Sequence, residues 1–402
     1  MLSVQEAIRV ICEQTPTLPA EKIPLAEACG RVLAEDVVAD SDLPPFDRAL
    51  MDGYAVRAAD TQNAPVRLRV VGEAAAGNGW REALQAGEAV RIMTGAPVPA
   101  GADSVQQVEA TREHNDGEFV EIERATSRGQ FITPRAREIT RGSVVLYRGE
   151  TINAAMMAAL ASFGFAMVSV GARPRVTVLA TGSELVGVEE QPGQDKIRDS
   201  NTYSLAAYAE LAGAGVHRLP FATDDPALLQ RMIQQSVQDT DALVISGGVS
   251  MGVYDFTKTA LGALDAEIFF ERVSLRPGKP TVFARLGRML VFGLPGNPVS
   301  VSVTFNLFAR TALRQMQGAQ RPALAEEQAV LAREVKGAVE RTSYLPAQLR
   351  TDEQGRLLAE PLRWGGSSDL AAFARTTALI IVPQGVKMLD AGTVVQTISL
   401  PG

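Results

Sequence analysis

The sequence predicts a multidomain protein of α/β plus β class. In chain order, a central, doubly wound, mainly parallel α/β domain lies between a β-rich N-terminal region with linker helices and a small C-terminal β domain. Three observations carry that prediction. A chain of 402 residues, at roughly 100 to 200 residues per domain, has length for two to four of them. Between positions 173 and 318 short apolar runs alternate with helical stretches, and strands alternating with helices fold as a parallel sheet covered on both faces. At about 41–146 and again at 327–402 the texture changes to short alternating runs broken by Gly, Pro and polar turn residues, the pattern of strands joined by turns.

Taken in order, Ser3 with Glu6 three residues later reads as a capping box, and Val4, Ile8 and Ile11 recur at helical spacing, so the chain opens with a helix. Pro24 and Gly30 mark the start and stop of a second, shorter one. The runs VRLRVVGEA, AVRIM, SVQQVEA, FVEIE and SVVLY follow as strands. From Thr151 to Ala172 no charge occurs, but Gly164 divides the stretch into a helical INAAMMAALASF and a strand-like FAMVSV. Its modest hydropathy fits a buried helix and strand rather than a membrane span. This N-terminal region occupies 1–172. In the α/β domain RVTVLA, HRLPFA, ALVIS and the run ending in GLPGNP supply strands. Helices are expected at Asn201 to Leu211, after Asp225-Pro226, over DFTKTALGAL and over VSVSVTFNLFARTALRQM. AQRPALAEEQ reads as a linker, and QAVLARE, LPAQLRT, RLLAEPL, ALIIVP and TVVQTI as the strands of the last domain.

Composition narrows the function. With 39 basic against 46 acidic residues the net charge is −7, which argues against a broad, non-specific grip on nucleic acid. Two Cys and two His, far apart in sequence, exclude a disulfide framework and argue against a Cys/His zinc site. His114 sits in the turn EHNDGE and His217 inside a strand, so neither suits a Ser/His or Cys/His nucleophile pair. The N-terminus carries two acidic residues and no long apolar core. It is not a signal peptide, and the expectation is a cytoplasmic protein with no membrane or nucleic-acid partner.

In an open α/β sheet ligands bind outside the carboxyl ends of the strands. Thr181-Gly182-Ser183-Glu184 follows the first strand, offering hydroxyls to a phosphate and a carboxylate to a cation. Ser246-Gly247-Gly248-Val249-Ser250 follows the ALVI strand, where paired glycines let the backbone approach an anion closely. Asp255 lies a few residues on, and Pro295 to Pro298 ends a further strand. A glycine pair after a strand is by itself ordinarily a tight turn; several such loops at the strand ends of one sheet point to a ligand site. Of the 39 basic residues only six are Lys, and Lys258 and Lys279 fall beside these loops. Arg276-Pro277-Gly278-Lys279-Pro280 sets two cations around a rigid turn. Together with Glu184 and Asp255 these residues describe a site that binds an anion with Lys and Arg and a divalent ion, Mg²⁺ by default, with carboxylates. In the β-rich region, PPFDRALMDGYA and RIMTGAPVP are constrained loops that carry Asp52 and Thr94.

FDRALMDGYA, RIMTGAPVPAGAD, TGSEL, DSN, SGGVSMG, RPGKP and GLPGNPVS, in this order and spacing, resemble the molybdopterin molybdenumtransferases of molybdenum-cofactor biosynthesis, bacterial counterparts of the gephyrin E domain. The resemblance covers essentially the whole chain. It implies an elongated homodimer with shared active sites and the reaction of adenylyl-molybdopterin with molybdate to give molybdenum cofactor and AMP, assisted by Mg²⁺. On that pattern Asp52 and Thr94 reach in from the partner copy, and Glu184 and Asp255 handle metal and phosphates. Ser246, Gly247, Gly248, Ser250 and Lys279 line the nucleotide and pyrophosphate, and Thr181, Gly182, Ser183, Lys258 and Pro295 are further substrate-binding candidates. Arg276, Lys279, Pro298, Arg341 and Ser367 are the candidates for holding molybdate. Transient contact with the molybdopterin adenylyltransferase is a further implication.

The sequence departs from the family pattern in places. Val253 stands where an acidic residue is usual, which leaves Asp255 alone in that loop. PRAREI keeps only Arg135, Arg137 and Glu138 of an Arg-rich segment, and Arg276 replaces a Lys, turning a point cation into a planar fork. Two other readings compete: the adenylyltransferase step, which leaves MDGYA and MTGAPVP unexplained, and a non-catalytic carrier or scaffold for the adenylylated pterin.

Overall fold

The computed structural model describes residues 1–249 and 256–401; the expectations for Ser250, Val253 and Asp255 lie outside the described residues. The chain divides into two compact units, one of Met1–Glu35, Arg148–Ala154 and Met167–Gly402, the other of Asp36–Tyr147 and Ala155–Ala166.

In the first unit the strands Gly215–Arg218, Arg175–Ala180, Ala242–Ser246, Met289–Leu294, Pro280–Leu286 and Glu267–Arg272 pair in that order. The first three pairings are parallel and the last two antiparallel, so the sheet is mainly parallel. The two antiparallel strands at one end of the sheet, PTVFARL and at the edge EIFFER, are additions to the expected set; their mixed polar and apolar order gives no clean period. Side chains alternate between faces as the pleat requires. Val244 joins Val176, Val178 and Phe292 in one core, while Leu243 and Ile245 join Leu179 and Val291 in the other. Asn201–Leu211, the run from Pro298 to Met316 and the N-terminal helix cover the first face; Pro226–Ser236 and Phe256–Ala263 cover the second.

The N-terminal helix, Val4–Gln14, has its capping box formed: Glu6 N donates to Ser3 Oγ (3.2 Å) and Ser3 N to Glu6 Oε2 (2.7 Å). The second helix expected after Pro24 is only a 3₁₀ turn, Leu25–Glu27. The chain before it is a strand, Ala20–Pro24, paired with Met167–Gly171, and just after it Gly30 N donates to Ile152 O (2.8 Å), so pairing on both sides limits the helix to one turn. The expected long helix is interrupted by a π turn at Phe305–Ala309.

C-terminally, Thr342–Thr351, Leu357–Pro361, Glu326–Leu331, Val394–Ser399 and Ala378–Val382 pair in sequence, and the last strand returns to the first. They close a small barrel around Ala329, Leu345, Ile380 and Val395. Leu275–Arg276 pairs in parallel with Thr342–Ser343, which fixes the RPGKP turn to that barrel.

The second unit holds a six-stranded sheet, ordered Ser104–Gln107, Gly53–Val56, Glu88–Ile92, Val66–Ala74, Phe119–Ile122, Thr111–His114. Gly53 is required where it stands, because a Cβ there would lie 1.9 Å from Gln106 O. No helix among the described residues is long and apolar enough to cross a membrane.

Phe292 is fully buried and stacks on Phe283 with ring centroids 5.0 Å apart. Phe292→Ala removes that ring from a site that cannot collapse around the gap, and about 3–5 kcal/mol of stability is expected to go with it. Urea denaturation followed by far-UV circular dichroism would show a lowered midpoint; an unchanged midpoint contradicts the packing.

Candidate active site

Strand register builds the site. Ala180 lies opposite Ser246, and Ser246 opposite Leu294, so the TGSEL, SGG and GLPGNP loops leave the sheet at one level. A cavity of about 640 Å³ opens there, lined among others by Thr181, Gly182, Glu184, Asn201, Ser246, Gly247, Gly248, Pro295 and Pro298. Thr181 N donates to Ser246 O (2.8 Å) and Gly247 N to Leu294 O (3.0 Å), tying the loops together. Asn201 Nδ2 adds two more bonds, to Ser246 Oγ (2.8 Å) and Gly296 O (2.7 Å). Gly247 has φ +92° and a Cβ there would sit 2.3 Å from Thr181 O; only glycine lets these two loops approach so closely.

Two polar atoms at this cavity, Thr181 Oγ1 and Asn201 Oδ1, are buried with no hydrogen-bond partner among the described residues. Buried polar groups are ordinarily satisfied, so these two atoms suit the donors and acceptors of a ligand. Among the described residues three carboxylates line the cavity, and two are engaged. Asp199 accepts from Thr202 N (3.1 Å) and from its hydroxyl, and Asp224 accepts from Ser183 N (3.0 Å). Glu184 is exposed and lies over Gly182, where a Cβ would be 2.6 Å from its oxygens. Among the described residues it has no side-chain partner. These residues include no group of three or more His, Cys, Asp or Glu able to hold a metal ion. One unengaged carboxylate, with phosphate oxygens and waters, nevertheless suits Mg²⁺, which keeps much of its hydration.

A second cavity, of about 410 Å³, adjoins the first and shares Pro280, Pro295 and Asn297 with it. Arg276, Lys279, Arg341 and Ser367 meet there, and none of the described residues that line it is acidic. Arg341 Nη1 donates to Leu275 O (3.3 Å), and Ser367 Oγ accepts from Asn297 Nδ2 (2.9 Å). Three cations without a carboxylate make a seat for a multiply charged oxyanion.

The expected residues are therefore distributed as follows. Thr181, Gly182, Glu184, Ser246, Gly247, Gly248, Pro295 and Pro298 line the first cavity; Arg276, Lys279, Arg341 and Ser367 line the second, with Pro295 shared. Ser183 and Lys258 line neither: the Ser183 hydroxyl accepts from Asp224 N (3.2 Å), and Lys258 pairs with Glu271 at 2.7 Å. Ser250 and Asp255 lie outside the described residues. Asn201 is a site residue that the motifs alone do not single out, although DSN at the start of a helix is its visible signal.

Asp52 and Thr94 lie in the second unit. Antiparallel pairing of Gly53 with Ile92 brings them side by side, and Thr94 N (2.6 Å) and Thr94 Oγ1 (2.7 Å) both donate to Asp52 Oδ1. Those bonds, the backbone one first, hold the Asp52 carboxyl below the ordinary aspartate range. Within the same unit the PRAREI segment serves its own loops: Arg135 Nε donates to Asp42 Oδ2 (2.6 Å) and Glu138 pairs with Arg48 at 3.5 Å.

Comparison with known proteins now decides the family. Residues 2–164 match the MoeA N-terminal region (domain I and II), 177–315 the probable molybdopterin binding domain, and 328–400 the MoeA C-terminal region (domain IV). The molybdopterin molybdenumtransferase of Bacillus subtilis is 35% identical over 403 residues, covering 99% of this chain and 94% of its own. The chain belongs to the molybdopterin molybdenumtransferase family. Molybdopterin molybdenumtransferase 2 of Mycobacterium tuberculosis is 37% identical over 416 residues, with 98% and 99% coverage. The solved structure of the molybdopterin biosynthesis moeA protein of Pyrococcus horikoshii superposes with a TM-score of 0.85 at 28% identity, each chain covered 100%. The likeness to members of the family thus extends through the β-rich N-terminal region, the α/β domain and the C-terminal β domain.

Because its pKa is lowered on folding, Asp52 contributes stability that is present above the ordinary aspartate pKa and lost as pH falls through its own lowered value. Carboxyl carbon NMR is expected to show a titration midpoint below that of free aspartate. Thr94→Val, which removes the hydroxyl donor, should move the midpoint up; no movement would deny the Thr94 hydroxyl its role.

Proposed function

We propose that this chain inserts molybdate into adenylyl-molybdopterin, forming molybdenum cofactor and releasing AMP. The observation that carries the proposal is the junction of the two cavities: the first, lined by Gly247 and Gly248, adjoins a second that three cations and, among the described residues, no carboxylate line. A nucleotide phosphoanhydride and a molybdate ion are both anionic, and such cations would gather them and stabilise the charge that develops as the anhydride breaks.

In this reading the nucleotide occupies the first cavity, where Thr181 Oγ1 donates to a phosphate or ribose oxygen and Asn201 Oδ1 accepts from a hydroxyl or amino group. Arg276, Lys279, Arg341 and Ser367 hold molybdate next to the dithiolene sulfurs of the substrate. Pro298, at the first cavity, bounds the passage between the two. The two dithiolene sulfurs replace one oxygen of molybdate, which leaves as water with the two thiol protons, and a water adds to the anhydride so that AMP leaves and the other phosphate stays on the cofactor. Glu184, with Asp255, would hold Mg²⁺, which when bound supplies positive charge against the phosphate oxygens. Each carboxylate can also relay a proton from water. Asp52 and Thr94 of a second copy would close the cleft, making the working form a homodimer. The adenylylated substrate must come from an adenylyl-transferring enzyme, with which a transient contact is part of the proposal.

The test is AMP release from adenylyl-molybdopterin with molybdate and Mg²⁺. Molybdate-dependent AMP is expected; nucleotide binding without AMP release would favour a carrier. Glu184→Ala and Asp255→Ala are expected to slow turnover at least tenfold more than they weaken AMP binding; equal losses would make the two residues binders alone. Light scattering should give a mass near twice 42.8 kDa, and a monomer would refute the shared site.

A further inference from the structure

The turn that carries Arg276 and Lys279 is held by a residue that does not itself line the cation-lined cavity. Thr281 is fully buried, and its Oγ1 donates to Gly278 O (2.8 Å). Gly278 has φ +112°, and a Cβ there would lie 2.4 Å from Thr304 Cγ2. The Thr304 hydroxyl is engaged within its own helix, donating to Ser300 O (2.8 Å), and its methyl faces the turn. One peptide further on, Lys279 O accepts from Val273 N (3.1 Å). Lys279 N, just before the strand Pro280–Leu286, donates to no described residue. Gly278 and Lys279 line the cavity, whereas Thr281 lies behind them.

In a trans peptide the C=O and N–H point in opposite directions. With the Gly278 carbonyl held inward by Thr281, the Lys279 N–H of the same peptide is turned to the other side, that of the cavity. The reverse orientation would set a carbonyl oxygen, a partial negative charge, against an anion seated there. Glycine populates both signs of φ, so the backbone alone does not decide between the two orientations, and the Thr281 hydroxyl does. We infer that Thr281 is a positioning residue for the oxyanion seat: its hydroxyl fixes the Gly278–Lys279 peptide so that the Lys279 main-chain N–H joins the ammonium group of the same residue as a donor to molybdate. Backbone N–H groups are established anion donors, and this one is rigid where the lysine stem is flexible. It gives the seat a direction that mobile cations alone do not supply. The inference rests on the proposed function and deepens it at the second cavity.

The experiment uses the full chain, with molybdate alone and AMP alone as probes. The chain has six lysines, so nitrogen-15 labelling of lysine gives six backbone amide signals, and Lys279→Arg identifies the signal of Lys279 by its disappearance. Saturating molybdate is expected to shift that signal. Thr281→Val keeps the side-chain shape and removes the hydroxyl. It is expected to weaken molybdate binding, measured by calorimetry, about tenfold and to abolish the shift, while AMP affinity stays within about twofold. Thr281→Ser, which keeps the hydroxyl, should behave as the wild type in both. A Lys279 amide left unmoved while calorimetry shows molybdate bound overturns the inference, and that readout does not depend on the Thr281 variants folding. Unchanged molybdate affinity in Thr281→Val also overturns it, as do equal losses of molybdate and AMP, which would make Thr281 a packing residue only. Failure of the wild-type chain to bind molybdate at all refutes the second cavity as its seat, and with it the proposed function.

Discussion

The whole site depends on the register of three parallel strands. With Ala180, Ser246 and Leu294 level with one another, three loops start at the same height, and their first residues are close enough to bond. Shifting any strand by one residue would turn its apolar side chains to the opposite face, exchanging, for example, the faces of Val244 and Ile245, which now fill separate cores. Core packing therefore fixes the register, and the register fixes the cavity. Gly247 then follows as a steric necessity, since its neighbour is the carbonyl of Thr181.

A second pairing carries the cations. Leu275–Arg276 belongs to a turn that leaves the α/β sheet, yet it hydrogen-bonds to Thr342–Ser343 of the barrel. This short pairing is why Arg341 meets Arg276 and Lys279, and why Arg341 reaches back to the carbonyl of Leu275. Like charges held this close repel one another in the absence of a counter-charge. No described residue lining their cavity is a carboxylate, and an anion seated there would supply the missing counter-charge.

Much of this was legible in the chain. The capping box of Ser3 and Glu6, the N-cap Asp225 with Pro226 and the helix from Asn201 to Leu211 are local features, decided by residues within a turn of one another. The glycine loops were legible as well, because strand followed by paired glycine leaves few conformations. Pro24 misled: as a helix starter it is a good local signal, but strand pairing with residues more than a hundred positions away prevailed. Ser183 and Lys258 misled for a similar reason, as suitable groups at suitable spacings whose bonds turn out to be made within the fold, to Asp224 and Glu271.

The sequence by itself determined the domain classes, the position of the ligand loops at strand ends, and the family, because each of these is written in short contiguous motifs. Only the tertiary structure decided which carboxylates remain available and which cations share a cavity. Among the described residues Glu184 has no side-chain partner while Asp199 and Asp224 are occupied, and Arg276, Arg341 and Ser367 are neighbours despite their separation in the chain. The physical reason is that availability is a property of a group's partners, and partners in a folded chain are chosen by packing across distance rather than by adjacency in sequence.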